Sequence, residues 1–239
     1  MCVRCRVQTG IPTIALELSQ RVGSVAVSNE SGAMVSKKID VGRKENDDLM
    51  PTIAKLCNEI SVTPKSIKLV ALSIGPGGFT GLRTSVAIAK MIALASGAKI
   101  VAVESAITAV FSSAPKHDAY FVLSGVKQES FWLSKVIRCE NRWTCASGLS
   151  SSAEFQKRLS EVDGVYGDSF APSIILKFCK ENTTPFYSIA PKASSLLALG
   201  THYYYAGSFT DPADLVPMYP REPEAIRLWK KKHGSDKTT

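Results

Sequence analysis

The glycine-rich segment Gly75-Pro-Gly-Gly-Phe-Thr-Gly-Leu-Arg83 constrains the fold of this chain more than any other feature. It separates a β-rich run at 67–74 from a run of helix-forming residues that continues to Ala95. Glycine permits backbone conformations that a side chain would forbid, and the first amides of a helix have no partners within the helix. The pattern therefore predicts a strand, a tight turn and a helix. The glycines of the turn are Gly75, Gly77, Gly78 and Gly81.

The turn matches neither of the common phosphate-binding motifs. No Gly-Lys-Ser/Thr follows it, and Thr80 stands where a dinucleotide fingerprint has its third glycine. Free amides at the start of a helix still favour an anion, and Arg83 would add a positive charge. Two interpretations stay open: an anion or nucleotide site made by the glycines, Thr80 and Arg83, and a turn that is purely structural.

The same nine residues resemble the signature of the TsaB (YeaZ) family, the non-catalytic subunit of the bacterial machinery that makes threonylcarbamoyladenosine in tRNA. Three shorter matches flank them, and together they span most of the chain. These are Asp47-Asp-Leu-Met-Pro51, Ala190-Pro-Lys-Ala193 and Pro217-Met-Tyr-Pro-Arg221.

The order of predicted elements begins twice. Apolar runs separated by turn residues predict three antiparallel strands at 13–18, 23–28 and 33–39. Helix 49–60, strand 67–74, helix 80–96, strand 99–103 and a helix from Glu104 follow. A hairpin at 120–124 and 130–136 starts a second round, with a strand near Trp143, helix 152–160, a short strand before Gly164, helix 172–181, a strand near Phe186 and helix 193–205.

This repeat predicts two α/β lobes, each of βββαβαβα type. The arrangement is that of the actin, Hsp70 and sugar-kinase (ASKHA) superfamily, to which the TsaB resemblance also points. We divide the chain into a flexible leader at 1–12, a first lobe at 13–112, a second lobe at 113–221 and a basic tail at 222–239.

Composition is that of a soluble globular protein, with 45% hydrophobic and 21% charged residues and no apolar run long enough to span a membrane. We expect a cytoplasmic protein. The net charge of +8, with a basic cluster at 227–233, is compatible with contact to tRNA, and a solvated tail is the other interpretation. Cys2 and Cys5 have metal-ligand spacing without a second pair, so a loose tail is favoured over a zinc or redox site.

The resemblance also suggests a weaker set of cleft residues. Relatives of TsaB end the first strand in Asp-Thr-Ser, whereas this chain has Glu17-Leu-Ser19, and Leu18 removes the central hydroxyl. Glu17 and Ser19, with Gly167 and Asp168 in the second lobe, are the candidates for nucleotide contact, and a structural role is favoured for the first two. The second hairpin of the family typically reads Asp-Ala-Arg, which is replaced here by residues 124–127.

Catalytic and metal sites are not indicated. The catalytic paralogue, TsaD, carries its metal on a His-x-x-x-His helix, and the three histidines here, at 117, 202 and 233, cannot meet that spacing. We expect no catalytic residue and no cofactor of the chain's own, with ATP and a metal ion on partner subunits.

The predicted helix 80–96 has apolar residues on more sides than one sheet can bury, which predicts a partner surface. In the TsaB family this helix and helix 49–60 pack against the equivalent pair in TsaD. The candidate interface residues are Leu49, Met50, Ile53, Ala54, Val86, Ala87, Lys90, Met91 and Leu94.

The resemblance thus implies an accessory subunit that binds a TsaD-like paralogue, works with a TsaE-like ATPase and supports modification of adenosine 37 of tRNA. Two alternatives stay open. One is a small-molecule phosphotransferase or ATPase that uses the cleft candidates and the glycine turn. The other is a homodimeric scaffold that pairs through the same apolar helices.

Overall fold

The computed structural model describes residues 10–40, 48–113, 117–127, 130–140, 142–167, 171–219 and 229. Most of the predicted leader and of the basic tail lies outside these residues, as do Cys2, Cys5 and Asp168. Among the described residues, none of the helices combines the length and the apolar character needed to span a bilayer.

The first lobe contains a five-stranded mixed sheet in the order β3-β2-β1-β4-β5. β1 pairs antiparallel with β2 and parallel with β4, and every residue of β1 and β4 is buried because helices cover both faces of the sheet. The elements are β1 Thr13–Glu17, β2 Val22–Ser28, β3 Met34–Asp40, α1 Leu49–Glu59, β4 Leu69–Ser73, α2 Phe79–Ser96, β5 Lys99–Val103 and α3 Ser105–Ser112.

The second lobe repeats this topology. Its sheet has the order β10-β9-β6-β7-β8. In both sheets the first strand of the lobe is central, with the second and third strands on one side of it and the fourth and fifth on the other. The repeat predicted from element order is therefore confirmed. The elements are β6 Ala119–Lys127, β7 Ser130–Cys139, β8 Arg142–Ser151, α4 Ser152–Arg158, β9 Gly164–Gly167, α5 Ser173–Glu181, β10 Phe186–Ser188 and α6 Ala193–Tyr205.

One strand lies at a different position from the one predicted. The prediction put a short strand before Gly164, but β9 is the segment Gly164–Gly167 itself. The two glycines weaken the segment as a strand, although Val165 and Tyr166 favour one, and the segment is buried between β6 and β10. Tertiary packing therefore sets this strand, because Gly164 lies against the rings of Tyr120 and Tyr187.

The last helix of each lobe, α3 in the first and α6 in the second, packs between the two sheets. α6 lies against β1 and β4 of the first sheet, whereas α3 contacts β6, β7 and β8 of the second. Both helices contribute to one buried cluster that joins the facing sides of the two sheets. The predicted boundary between residues 112 and 113 therefore separates the two sheets. However, α3 of the first lobe packs on the second sheet, and α6 of the second lobe packs on the first sheet.

A segment after α6, residues 208–219, returns to the first lobe, and we call it the C-terminal strap. The amide of Thr210 donates to the carbonyl of Ile100 at 2.8 Å, which covers the outer edge of β5. Leu215 is buried in the core beneath α1 and α2, and the amide of Met218 donates to Ile74 O at 2.6 Å. The strap therefore ends beside the glycine turn.

Close packing of α6 on β4 generates a stability prediction. A Cβ added to Gly200 would lie 2.4 Å from the Cβ of Ala71, which is fully buried. Gly200→Ala should therefore lower the free energy of unfolding by about 1–3 kcal/mol despite the better helix propensity of alanine. Urea denaturation measures this. Gly148→Ala is the matched control, since nothing lies within 4 Å of its added Cβ. Adding Ala71→Gly should restore most of the loss, and an unchanged double variant would contradict the contact.

Candidate functional site

The glycine turn is packed between two other parts of the chain. Gly75 has a φ of +114°, and a Cβ there would lie 2.4 Å from the carbonyl oxygen of Met218. A Cβ on Gly77 would lie 2.3 Å from the carbonyl oxygen of Ser19, to which the amide of Gly78 donates at 2.8 Å. Glycine is therefore required at Gly75 and Gly77 by close backbone approach. This packing supports the structural interpretation of the turn.

The turn is also joined to the start of α3. Gly75 donates its amide to Ser105 Oγ at 3.1 Å and accepts from the amide of Ser105 at 2.8 Å. Gly78 then begins α2 as its N-cap residue, without a side-chain cap, and Gly81 is buried while Thr80 is exposed. The predicted sequence of strand, turn and helix is confirmed, and α2 begins with Phe79.

A buried polar cluster lies beneath the turn. Glu17 is 1% exposed and accepts hydrogen bonds from the amide of Ser19 at 3.0 Å and from the hydroxyls of Ser19 and Ser73. Ser73 lies 3.2 Å from the hydroxyl of Thr108 in α3. The structure brings the predicted Glu17 and Ser19 together and adds two hydroxyls from β4 and α3. Leu18, between them, is buried in the core.

Burial dominates the electrostatics of this cluster. Loss of hydration raises the pKa of the Glu17 carboxyl, and the hydrogen bonds from Ser19 and Ser73 oppose that rise only in part. Hydrogen bonds within the chain occupy both carboxylate oxygens of Glu17. The cluster thus ties β1, β4 and α3 together.

Arg83 lies in an aromatic cluster at the start of α2. Its guanidinium carbon is 3.8 Å from the ring centroid of Phe79, and its Nε donates to Tyr219 Oη at 3.0 Å. The two rings are 5.0 Å apart. Sequence reasoning missed this contact because 136 residues separate Arg83 from Tyr219, although the motif at 217–221 had singled out that segment. The cluster joins the strap to α2 and places a cation beside the helix start.

The second-lobe candidates are not brought to this cluster by any described contact. Gly167 is buried, and a Cβ there would lie 2.5 Å from the ring of Phe186, so packing accounts for the glycine. Asp168 lies outside the described residues. Within the part of the chain that the structure describes, His, Cys, Asp and Glu side chains form no group of three or more that could hold a metal ion.

The predicted partner surface separates into buried and exposed residues. α1 and α2 cover the same face of the first sheet, and the side chains of Leu49, Ile53 and Val86 are buried in the core between them and that sheet. These three residues were predicted to contact a partner, but their side chains pack in the chain's own core instead. Helical periodicity cannot tell which face of a helix is buried when apolar residues lie on several sides.

The remaining positions lie outside this core on α1 and α2, and we call them together the helix face. Met91 and Leu94 are 66% and 84% exposed on α2, and Met50 is 53% exposed on α1. Ala54 and Ala87 are exposed, and Lys90 is half-buried. Large exposed apolar side chains on helices that cover one face of a sheet are typical of a protein interface.

A groove borders the helix face at the end of α2. It encloses about 470 Å³ between that helix, the start of β5 and the strap. Lys90 and Leu94 line one side, and Phe209 lines the other beneath the ammonium of Lys99, which lies 5.6 Å from its ring centroid. Sequence reasoning missed this groove because the strap that forms it was assigned to the other lobe.

Comparison with known proteins agrees with this architecture. A crystal structure from Pseudomonas aeruginosa, described as an uncharacterized protein with similarity to the peptidase YEAZ, superposes with a TM-score of 0.69 at 18% identity, covering 88% of this chain and 100% of the other. YeaZ from Pseudomonas aeruginosa superposes with a TM-score of 0.66 at 16% identity, covering 87% of this chain and 99% of that one. The chain has the YeaZ fold.

The fold expected from the resemblance to the TsaB (YeaZ) family is thus confirmed, and with it the two-lobed α/β architecture. A second comparison concerns a shorter stretch. The family model described as TsaD, tRNA N6-adenosine threonylcarbamoyltransferase, matches residues 39–148. That match includes α1, the glycine turn and α2, the elements that form the helix face of this YeaZ-like chain.

The buried carboxyl generates a prediction about pH. Because the pKa of Glu17 is raised in the folded chain, its stabilising contribution is full below the ordinary value of 4.5 and is lost as the pH rises through the folded-state pKa. Glu17→Gln stays neutral. The free energy of unfolding of the variant should therefore increase relative to the wild type as the pH rises above 4.5, and then level off. Denaturation at a series of pH values measures the difference.

Glu161 provides a control of opposite sign. Hydrogen bonds from Arg158 and Lys135 hold the pKa of its carboxyl at about 2. The wild type should therefore lose stability relative to Glu161→Gln as the pH falls from 4.5 toward 2. A difference between wild type and Glu17→Gln that does not change with pH would contradict the assignment of a raised pKa to Glu17.

Proposed function

We propose that the chain belongs to the TsaB (YeaZ) family and acts as a non-catalytic subunit of the cytoplasmic complex that makes threonylcarbamoyladenosine at position 37 of tRNA. The exposure of Met50, Met91 and Leu94 on the two helices that cover one face of the first sheet carries this proposal. The YeaZ fold and the match of residues 39–148 to the TsaD family support it.

The helix face would bind a TsaD-like paralogue. The first lobe, which carries the helix face, has the same strand order as the second lobe. A paralogue with the same fold would present an equivalent pair of helices. Ala54 and Ala87 are small enough to let two helices approach closely, while Met91 and Leu94 would be the large anchors at the centre. ATP and a metal ion, and contact with a TsaE-like ATPase, would belong to the partners.

The glycine turn and Arg83 would set the start of the helix face. Arg83 is already stacked on Phe79 and bonded to Tyr219, so the turn alone should bind nucleotide weakly. In the complex the exposed guanidinium of Arg83 could complete a shared anion site with the partner. Nucleotide affinity of the complex, measured with and without Arg83→Ala, tests this, and equal affinities would leave the turn with a structural role alone.

The phosphotransferase alternative places catalysis near Glu17 and Ser19. Their burial beneath the turn, with the carboxylate oxygens of Glu17 bonded within the chain, favours the accessory role. Hydrolysis of nucleotide by the purified chain alone, lost in Glu17→Gln, would favour the phosphotransferase instead.

Binding to the paralogue gives the direct test of the helix face. Met91→Glu and Leu94→Glu should each weaken the complex by about 30-fold or more, because each would bury an unpaired charge at a central contact. Titration calorimetry with the genome's TsaD-like protein measures the affinity. Met34→Glu is the matched control, since Met34 is 45% exposed on β3.

Both helix variants should fold as the wild type does because their side chains are exposed. Val86→Arg is unsuitable for this test, since Val86 is buried and its loss would destabilise the chain. If Met91→Glu and Leu94→Glu bind the paralogue as tightly as Met34→Glu does, the helix face is not the interface.

A further inference from the structure

Exposed aromatic rings come together where α6 ends and the strap begins. Tyr205 is 47% exposed and Phe209 is 43% exposed. The ring centroid of Tyr204 is 5.3 Å from that of Phe209 and 5.7 Å from that of Tyr205, so this third ring joins the other two. The three rings therefore form one aromatic group at the surface of the chain.

Lysines from α2 and from the first sheet lie beside this group. The Nζ of Lys99 is 5.6 Å from the ring centroid of Phe209, and Lys90 lines the same groove as that ring. Lys68 is the neighbour of Lys99 along the sheet edge, because the amide of Lys99 donates to the carbonyl of Lys68 at 2.9 Å. We call these lysines and the three rings the aromatic–basic patch.

The charge of the patch is positive. Within the part of the chain that the structure describes, none of its three ammonium groups lies within 4 Å of a carboxylate. Asp211 also lines the groove, and its carboxylate accepts a hydrogen bond from the amide of Ala213 at 2.7 Å within a turn of the strap. Three cations thus face one carboxylate that already has a donor.

The sequence adds positive charge at the same place. Residues 1–9 include Arg4 and Arg6 and no acidic residue, and they join the described chain at Gly10. A Cβ added to Gly10 would lie 3.7 Å from the hydroxyl of Tyr205. The whole chain carries a net charge of +8. The charge balance therefore favours a polyanion as the ligand of the patch.

We propose that the aromatic–basic patch binds single-stranded RNA. Bases would stack on the exposed rings of Tyr205 and Phe209, while the lysines would contact phosphates. Lys99 is close enough to the ring of Phe209 to hold the phosphate of a nucleotide whose base stacks there. An acidic protein segment would use the lysines alone, whereas two exposed rings beside them fit a strand of unpaired bases.

This inference goes beyond the proposed function, in which the chain binds a paralogue and need not contact nucleic acid itself. The patch also differs from the helix face. Met91 and Leu94 are exposed on α2, whereas the rings belong to α6 and the strap. Lys90 is a candidate for both surfaces and is therefore left out of the test.

Fluorescence anisotropy of the full chain with a labelled single-stranded oligoadenylate, without the paralogue and over a series of salt concentrations, tests the lysines. Lys68→Ala and Lys99→Ala should each weaken binding. Each should also reduce the slope of log affinity against log salt concentration by about 0.7, the value for one lost phosphate contact. Lys157→Ala is the matched control, since Lys157 is exposed on α4, and it should keep both the affinity and the slope.

Phe209 tests the stacking of bases. Phe209→Leu keeps an apolar side chain in the groove and removes the aromatic ring, so it should weaken binding about fivefold or more without changing the salt slope. Phe209→Tyr keeps the ring and should bind as the wild type does. An oligoadenylate–oligouridylate duplex, whose bases are paired, should compete less well than unlabelled oligoadenylate. Polyglutamate, which has charge without bases, should also compete weakly.

Several results would overturn the proposal. They are no binding of oligoadenylate by the wild type, unchanged affinity in both Lys68→Ala and Lys99→Ala, and unchanged affinity in Phe209→Leu. Competition by polyglutamate as strong as that by oligoadenylate would overturn it in favour of an acidic protein partner. Met91→Glu should lose the paralogue but keep the RNA affinity of the wild type, so failure of the proposed function and failure of RNA binding can be told apart.

Discussion

Close backbone contacts of the glycine turn fix the positions of the loop after β1, the strap and α2 relative to one another. Gly77 lies against Ser19, and Gly75 lies against Met218, at distances that exclude a Cβ. The first contact joins the turn to the end of β1, and the second joins it to the strap. Because α2 begins directly after this turn, the same contacts set the direction of that helix and therefore the side on which Met91 and Leu94 are exposed.

The polar cluster beneath the turn reinforces this arrangement. Glu17 accepts hydrogen bonds from Ser19, just after β1, and from Ser73 of β4, and Ser73 lies next to Thr108 of α3. A carboxyl so deeply buried is costly unless it is neutral or fully hydrogen-bonded, and here burial raises its pKa. In the proposed function these residues hold the lobe together, and the exposed helices carry the interaction.

Local patterns in the sequence were sufficient to predict most of the fold. Apolar runs bounded by turn residues identified the strands of the first sheet, and the glycine segment placed the turn before α2 correctly. Contacts between distant segments were not predictable in this way. The strap, the contact between the rings of Phe79 and Tyr219, and the packing of α3 and α6 between the sheets depend on residues far apart in the chain. The burial of Val86 was missed because α2 is apolar on both its buried and its exposed sides.

Threonylcarbamoyladenosine content of cellular tRNA gives the most direct test of the central claim. Cells depleted of this chain should lose the modified nucleoside, as measured by mass spectrometry of digested tRNA. Re-expression of the wild type or of Met34→Glu should restore it, whereas the double variant Met91→Glu, Leu94→Glu should not, although it folds. Unchanged threonylcarbamoyladenosine after depletion, or full restoration by the double variant, would contradict the account.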